Sequence, residues 1–143
     1  MFSADNFYWY ASIFIFIPWL MLIFLPNGKY SEGIAIGSAV VLLLAAAYFT
    51  FSYLFGKEEG GALSSVEGIP HIFRSKDMLK TALLNYLSFC LLVGVWQLND
   101  SQQHKIPHIF VAPAMMVTML MGPTGLLLYM LIRFFKTKKW AIK

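Results

Sequence analysis

Four stretches of this chain contain no Asp, Glu, Lys, Arg or His: residues 7–25, 34–56, 81–98 and 109–132, each 18 to 24 residues long. That pattern constrains the fold more than any motif does. A helix rises about 1.5 Å per residue, so roughly 20 residues cross the ~30 Å hydrocarbon core of a bilayer. No water is present there to satisfy N–H and C=O groups, so such segments must be helical. One apolar run of this length also occurs as the core helix of a soluble domain. Four of them in 143 residues leave too little polar chain to cover the rest: 59% of residues are hydrophobic and 13% charged, against roughly 25% charged in an ordinary globular chain. The reading is an all-α integral membrane protein, a compact bundle of four transmembrane helices near residues 7–25, 34–56, 81–98 and 109–135, forming one domain over 1–143. A soluble enzyme, a disordered linker and a disulfide scaffold are excluded, the last because Cys90 is the only cysteine.

The connections carry turn chemistry. Pro26-Asn27-Gly28 closes the first block. The second connection holds Glu58-Glu59-Gly60-Gly61 and Ser64-Ser65, and the third ends at Pro107, suited to the first turn of a helix. The first block has no basic segment before it and follows Asp5, so it does not read as a cleaved signal peptide. Four spans would put both termini and the second connection on one side. That side carries Lys57, Arg74, Lys76, Lys80, Arg133, Lys136, Lys138, Lys139 and Lys143, the other only Lys29 and Lys105. Nine against two places both termini in the cytoplasm. It also explains the net charge of +4 by orientation and anionic headgroups, without nucleic acid. Trp9, Tyr10, Tyr30, Tyr53, Trp96 and Trp140 fall near span ends, as interfacial aromatics do. No transit peptide is visible, which favours a bacterial plasma (inner) membrane over a plastid one.

Within the spans the sequence offers polar but uncharged residues. Thr81, Asn85 and Ser88 fall at i, i+4 and i+7 on the third helix, and Thr118, Gly122, Gly125 and Tyr129 share a face of the fourth. Such faces serve helix packing, where small residues permit close approach and Asn or Thr bonds across the interface; a pocket for an apolar ligand is the functional alternative. Pro18, Pro113 and Pro123 read as kinks. With no titratable group inside the spans, ion-coupled transport is disfavoured. His71, His104 and His108 read as solvated interfacial side chains, with no metal site. Met115, Met116, Met119 and Met121 read as pliable packing. No hydrolase triad, P-loop or dinucleotide motif is present, so no catalytic residue is assigned. Gly33, Gly37 and Ser38 offer a small-residue face on the second helix for docking to a larger membrane complex or a second copy.

A family resemblance sharpens this. The order and spacing of Leu63-Ser64-Ser65-Val66-Glu67-Gly68-Ile69, Phe73, Phe89-Cys90-Leu91-Leu92-Val93-Gly94, Ile106-Pro107-His108, Pro113 and Gly122-Pro123-Thr124-Gly125-Leu126-Leu127-Leu128-Tyr129 resembles the abscisic-acid-deficient-four-like family of small four-helix membrane proteins. The resemblance implies a link to carotenoids, since the plant member is implicated in forming the xanthophyll neoxanthin. It also implies a His on the third helix and an Asp five residues later; those positions are Asn85 and Cys90 here. Asn cannot shuttle a proton near neutral pH, and a Cys surrounded by apolar groups is an inert thiol. The expectation is a non-catalytic protein that binds a carotenoid or other isoprenoid lipid, or supports a membrane partner. The alternatives are an accessory subunit of a larger complex and an isomerase acting on a xanthophyll.

Overall fold

The computed structural model describes residues 4–55 and 66–138, and every regular element among them is a helix. Residues 56–65, with the Glu58-Glu59-Gly60-Gly61 run and the Ser64-Ser65 pair, and the tail from residue 139 on, with Lys139, Trp140 and Lys143, lie outside the described residues. In chain order the helices are α1 (Ala4–Phe24), α2 (Ser31–Phe55), α3 (Ile69–Arg74), α4 (Lys76–Gln103), α5 (His108–Met121) and α6 (Pro123–Thr137). Two segments, α2 and Met78–Gln103 of α4, are long and apolar enough to cross a membrane, while the apolar stretches Trp9–Phe24 and His108–Met121 are shorter.

The first three long helices alternate in direction. Gly28 N–H donates to Leu25 C=O at 3.0 Å and the Ser31 hydroxyl donates to Gly28 C=O at 2.8 Å, so the Pro-Asn-Gly stretch reverses the chain within one turn. Helix α2 then lays Ser31, Ala35, Ser38, Ala39, Leu42 and Ala46 against α4, the largest helix–helix interface in the molecule. Side chains this small let two helix axes approach closely, which maximises dispersion contact. Helix α1 covers one side of that pair with Ile15, Trp19 and Leu22. The Trp19 ring occupies the space that a side chain at Gly94 would need. The outward faces are also apolar: Phe16, Ile17, Val40, Leu44, Phe89 and Leu127 are all exposed.

The fourth uncharged block does not form the single span expected over 109–135. It breaks at Gly122, whose φ of +37° lies in the region that favours glycine, and Pro123 starts a new helix at its first position. Helix α6 then doubles back along α5. Ile106, Pro107 and Phe110 at the start of α5 line one groove together with Ile132, Phe135 and Lys136 at the end of α6. Near the turn, Gly125 sits directly on the backbone of Thr118, and a Cβ at 125 would collide with Thr118 N and Cα. Gly122-Pro123 is therefore the tip of a helical hairpin and not a kink. At about 1.5 Å per residue its 14- and 15-residue arms are about 21–23 Å long. Pro18 and Pro113 do lie inside helices, α1 and α5.

The hairpin changes where the chain ends. The start of α4 and the N-terminal half of α1 share one end of the bundle, where Tyr10 and Phe14 line a groove with Leu84. The α1–α2 turn, the α4–α5 connection and the end of α6 share the other. Gln102 donates to Pro26 C=O at 3.0 Å, Asn99 donates to Glu32 at 2.8 Å, and His108 Nε2–H donates to Ile23 C=O at 2.6 Å. Thus α1 begins and α6 ends at opposite ends, which departs from the expected shared side. Among the described residues Arg74, Lys76 and Lys80 lie at the first end and Lys29, Lys105, Arg133, Lys136 and Lys138 at the second. On these same residues the expected split is six against two; the structure makes it three against five, and the charge argument for orientation loses its force.

Candidate functional site

The structure separates the residues expected to share a face of the third helix. Thr81 and Ser88 of α4 are buried, but Asn85 is exposed. None of the three bonds across to another helix. The Asn85 amide donates to Thr81 C=O at 3.1 Å, and the Ser88 hydroxyl donates to Leu84 C=O at 2.7 Å, both one turn back on α4 itself. Apolar surroundings favour this, because an own-helix carbonyl is the acceptor always in reach. The Thr81 hydroxyl is buried without a hydrogen-bond partner. Cys90 is buried at the hairpin tip, beside Gly122, as a free thiol. Pro123 is exposed.

Of the residues expected to share a face of the fourth helix, the fold-back sets Gly125 against Thr118, while Gly122 stays at the tip and Tyr129 lies one turn further along α6. Gln97 of α4 is fully buried and reaches both arms of the hairpin. Its amide N–H donates to Thr118 Oγ1 at 2.9 Å and points at Gly125 C=O at 3.5 Å. The Thr118 hydroxyl donates in turn to Ala114 C=O at 2.9 Å, which leaves its oxygen free to accept from Gln97.

One turn further along α4 the same face becomes ionic. Asp100 has a side-chain exposure of 7% and Arg133 of α6 has 2%. Arg133 Nε lies 2.8 Å from Asp100 Oδ2, an ion pair in which the Nε–H is turned off the direct line to the oxygen. The same oxygen accepts a hydrogen bond of 2.6 Å from the hydroxyl of Tyr129, a residue with no exposed surface. His104 completes the group. Its Nδ1 is 2.8 Å from the Asp100 carbonyl oxygen and 3.5 Å from Asp100 Oδ1, and its Nε2 faces Arg133 Nη2 at 3.4 Å. Guanidinium N–H groups only donate, so Nε2 must accept and Nδ1 must carry the proton given to the Asp100 carbonyl.

This is the principal correction to the sequence reading. Asp100 and His104 were assigned to a solvated connection and Arg133 to the opposite, basic side; the hairpin brings all three together in the bundle. Gln97, Asp100 and His104 stand at i, i+3 and i+7 on α4, and Gly125, Tyr129 and Arg133 at i, i+4 and i+8 on α6. Both spacings mark single helix faces and are visible in the sequence. His108 is not simply solvated either: its Nε2 is bonded to α1 and its Nδ1 is buried without a partner. Among the described residues no three His, Cys, Asp or Glu side chains gather as a metal site would require.

An apolar groove of about 410 Å³ runs beside this seam, lined by Phe89, Leu92, Val93 and Trp96 of α4 and Leu126 and Met130 of α6. Trp96 links the two features, since its ring meets that of Tyr129 edge-on at 5.6 Å between centroids. A similar groove of about 420 Å³ lies between α1 and α2. No titratable side chain lines the first groove, so what the arrangement offers there is apolar shape. No curated protein and no solved structure matches the chain. Residues 6–129 match the ABA DEFICIENT 4-like family over its helices up to Tyr129, and the chain belongs to that family.

Proposed function

We propose that this protein is embedded in a membrane and holds a long apolar ligand, a carotenoid or related isoprenoid, in the groove between α4 and α6 without transforming it. Helices α1, α2 and α4 cross the bilayer in this reading and α5–α6 enters as a re-entrant hairpin. Membrane embedding is supported by the many large apolar side chains exposed on the outer faces, Trp9, Ile17, Val40, Leu44 and Phe89 among them, since soluble monomers rarely expose large contiguous apolar patches. The hairpin satisfies the same rule, because its non-helical tip is covered by Tyr86 and Cys90 of α4. The observation that carries the ligand reading is the groove itself: six apolar side chains from two helices, with Trp96 held at its wall by Tyr129. The ligand class is the one that the family resemblance implies. Binding is favoured over catalysis because Asn85 and Cys90 stand where the family pattern carries His and Asp, and because Asn85 is exposed on the outer surface.

The test is purification from a carotenoid-producing host followed by the visible spectrum and an analysis of extracted lipids. Bound polyene at about one per chain is expected. Leu126→Trp, which fills the groove, is expected to remove it, while Val41→Trp in the α1–α2 groove leaves it in place. A colourless wild-type preparation, or equal retention by both variants, overturns the reading.

A second reading, as an accessory subunit or homo-oligomer, has one specific observation behind it. Side chains built at Gly33 and Gly37 would meet nothing within 4 Å, so this pair faces outward, spaced as in helix-docking motifs. Ser38, expected on the same face, points inward to α4 instead. Gly33→Leu with Gly37→Leu is expected to shift the protein to a smaller species on a native gel if that face is occupied; unchanged mobility removes this reading.

A further inference from the structure

The groove between the start of α5 and the end of α6 has a feature that the grooves beside Trp96 and between α1 and α2 lack: a charged side chain, Lys136, in its wall. We propose that this groove seats one acyl chain of an anionic phospholipid, with Lys136 and its sequence neighbours Lys105 and Lys138 holding the headgroup. The site rests on the membrane-embedded reading above and is independent of any ligand between α4 and α6.

Five of the six lining residues are apolar: Ile106, Pro107 and Phe110 from the α4–α5 connection and α5, Ile132 and Phe135 from α6. Phe110 and Phe135 are exposed, so this wall is open to whatever surrounds the bundle. Pro107 has no N–H to satisfy, so a hydrocarbon chain lies against it without displacing a hydrogen bond. The volume, about 300 Å³, is at the low end for a ligand pocket; it takes one acyl chain and leaves the second in the bilayer. Its depth is also right. Helix α4 ends at Gln103 and α6 at Thr137, so a bilayer crossed by α4 has its headgroups at this end of the groove.

Charge selects the occupant. Lys105 immediately precedes Ile106 and Lys138 follows Lys136 by two residues, and all three lysines are exposed. Among the described residues none of the three is in an ion pair. The acids at this end are engaged elsewhere: Asp100 is buried against Arg133, and Glu32 accepts from Asn99 on the α2 side. The C-termini of α4 and α6 bring about half a negative charge each and the N-terminus of α5 about half a positive one, so three lysines leave the rim well positive. Basic pockets between helices at the membrane surface favour anionic headgroups for this reason. A free phosphate would use the rim and leave the groove empty. A neutral apolar molecule would fill the groove and leave the charge unanswered. An anionic lipid does both.

The experiment uses the full chain, delipidated in a mild maltoside detergent and titrated with dioleoyl phosphatidylglycerol or dioleoyl phosphatidylcholine, which share chains and phosphate and differ in net charge. Native mass spectrometry counts the lipid retained. One phosphatidylglycerol per chain is expected, held in clear preference to phosphatidylcholine. A lysine beside an anionic headgroup is worth about fivefold in affinity, so Lys136→Gln is expected to lower the preference by about that factor. Lys105→Gln, Lys136→Gln and Lys138→Gln together should abolish it. Lys29→Gln makes the same change of charge at the same end but outside the groove, and should leave the preference intact. Phe110→Ala with Phe135→Ala removes two apolar walls and should weaken retention of both lipids. All these side chains are exposed, so the variants are expected to fold as the wild type does. Equal retention of the two lipids by the wild type, an equal loss from Lys29→Gln, or retention indifferent to the phenylalanine pair overturns the proposal. Protein that stays monodisperse in buffer without detergent removes the membrane reading and this site with it. A detergent-dependent protein that does not distinguish the two lipids removes this site alone.

Discussion

The α2–α4 and α4–α6 seams meet the same helix from two sides and are built from opposite materials. On α2 the contact residues are Ser31, Ala35, Ser38, Ala39, Leu42 and Ala46, and the seam holds by closeness of approach. On α6 they are Gly125, Tyr129 and Arg133, which meet Gln97, Asp100 and His104 through directed polar contacts. Helix α2 has 25 residues and enough length to find its place by shape alone, whereas the arms of the hairpin have 14 and 15. In the proposed membrane setting a short element gains little from burying apolar surface, since lipid is as good a neighbour as protein. Polar groups that lose heavily when unpaired fix its position instead. The difference teaches that contact area sets the long seam and polar pairing sets the short one.

The comparison breaks most sharply at Gly125. Its Cα–H surface lies against the backbone of Thr118, and backbone, unlike the end of a side chain, cannot turn away. Gly125→Ala is expected to cost more than the roughly 1–3 kcal/mol of ordinary overpacking and to unseat α6. Limited proteolysis in detergent should then cut between α5 and α6 in the variant and not in the wild type. On the other seam Ala39 is also fully buried, and a hydroxyl is a far smaller addition there than a Cβ against backbone. Ala39→Ser there should leave the protease pattern unchanged. Equal protection of both variants would mean that the hairpin is not held at Gly125.

Asp100 gives the next largest effect. Asp100→Ala leaves Arg133 buried without its counter-ion, a change that costs about 3–5 kcal/mol in protein interiors. Because the loss lies mainly in the stranded charge, the double variant Asp100→Leu with Arg133→Met is expected to recover most of it. Thermal unfolding in one detergent, followed by Trp fluorescence, checks both. A double variant no more stable than Asp100→Ala would show that the pair contributes attraction beyond neutralisation.

The same contrast explains what the sequence disclosed. Helices α1, α2 and α4 were legible because a long uncharged block between polar ends reads as one helix. The fourth block was misread for a physical reason: 24 uncharged residues satisfy the length rule for one crossing, while the Gly122-Pro123 turn signal is equally compatible with a tolerated kink. Once the block is taken as a single span, Arg133 lands on the side away from Asp100, and the pair becomes invisible. Thr118, Gly122, Gly125 and Tyr129 stand out in the sequence as small or polar residues in an apolar run, although the structure divides them among α5, the turn and α6. Gln97 and Asp100 draw no attention because a polar residue near a block end reads as the start of a loop, and His104 reads as a solvated interfacial side chain for the same reason. The family pattern directed attention to Asn85 and Cys90, one exposed and the other at the hairpin tip, and away from the charged end of the same helix.

The smallest effect tests the polar seam at its least charged point. Gln97→Leu removes the bond to Thr118 and the long contact to Gly125 C=O, but it strands nothing ionic. The Thr118 hydroxyl keeps its proton on Ala114 C=O, and Leu fills most of the vacated volume. Inter-helix hydrogen bonds in membrane bundles average about 0.6 kcal/mol, with a maximum near 1.7, so a loss of about 0.5–1.5 kcal/mol is expected. Ser38→Ala on the α2 seam, where closeness and not bonding holds the helices, should fall within about 0.5 kcal/mol of wild type. Chemical unfolding of the two variants in the same mixed micelles separates these values. If Ser38→Ala proves the more costly of the two, the division of labour between the seams is wrong: α2 would then depend on a polar contact, and Gln97 would be filling space between the arms of the hairpin without tying them together.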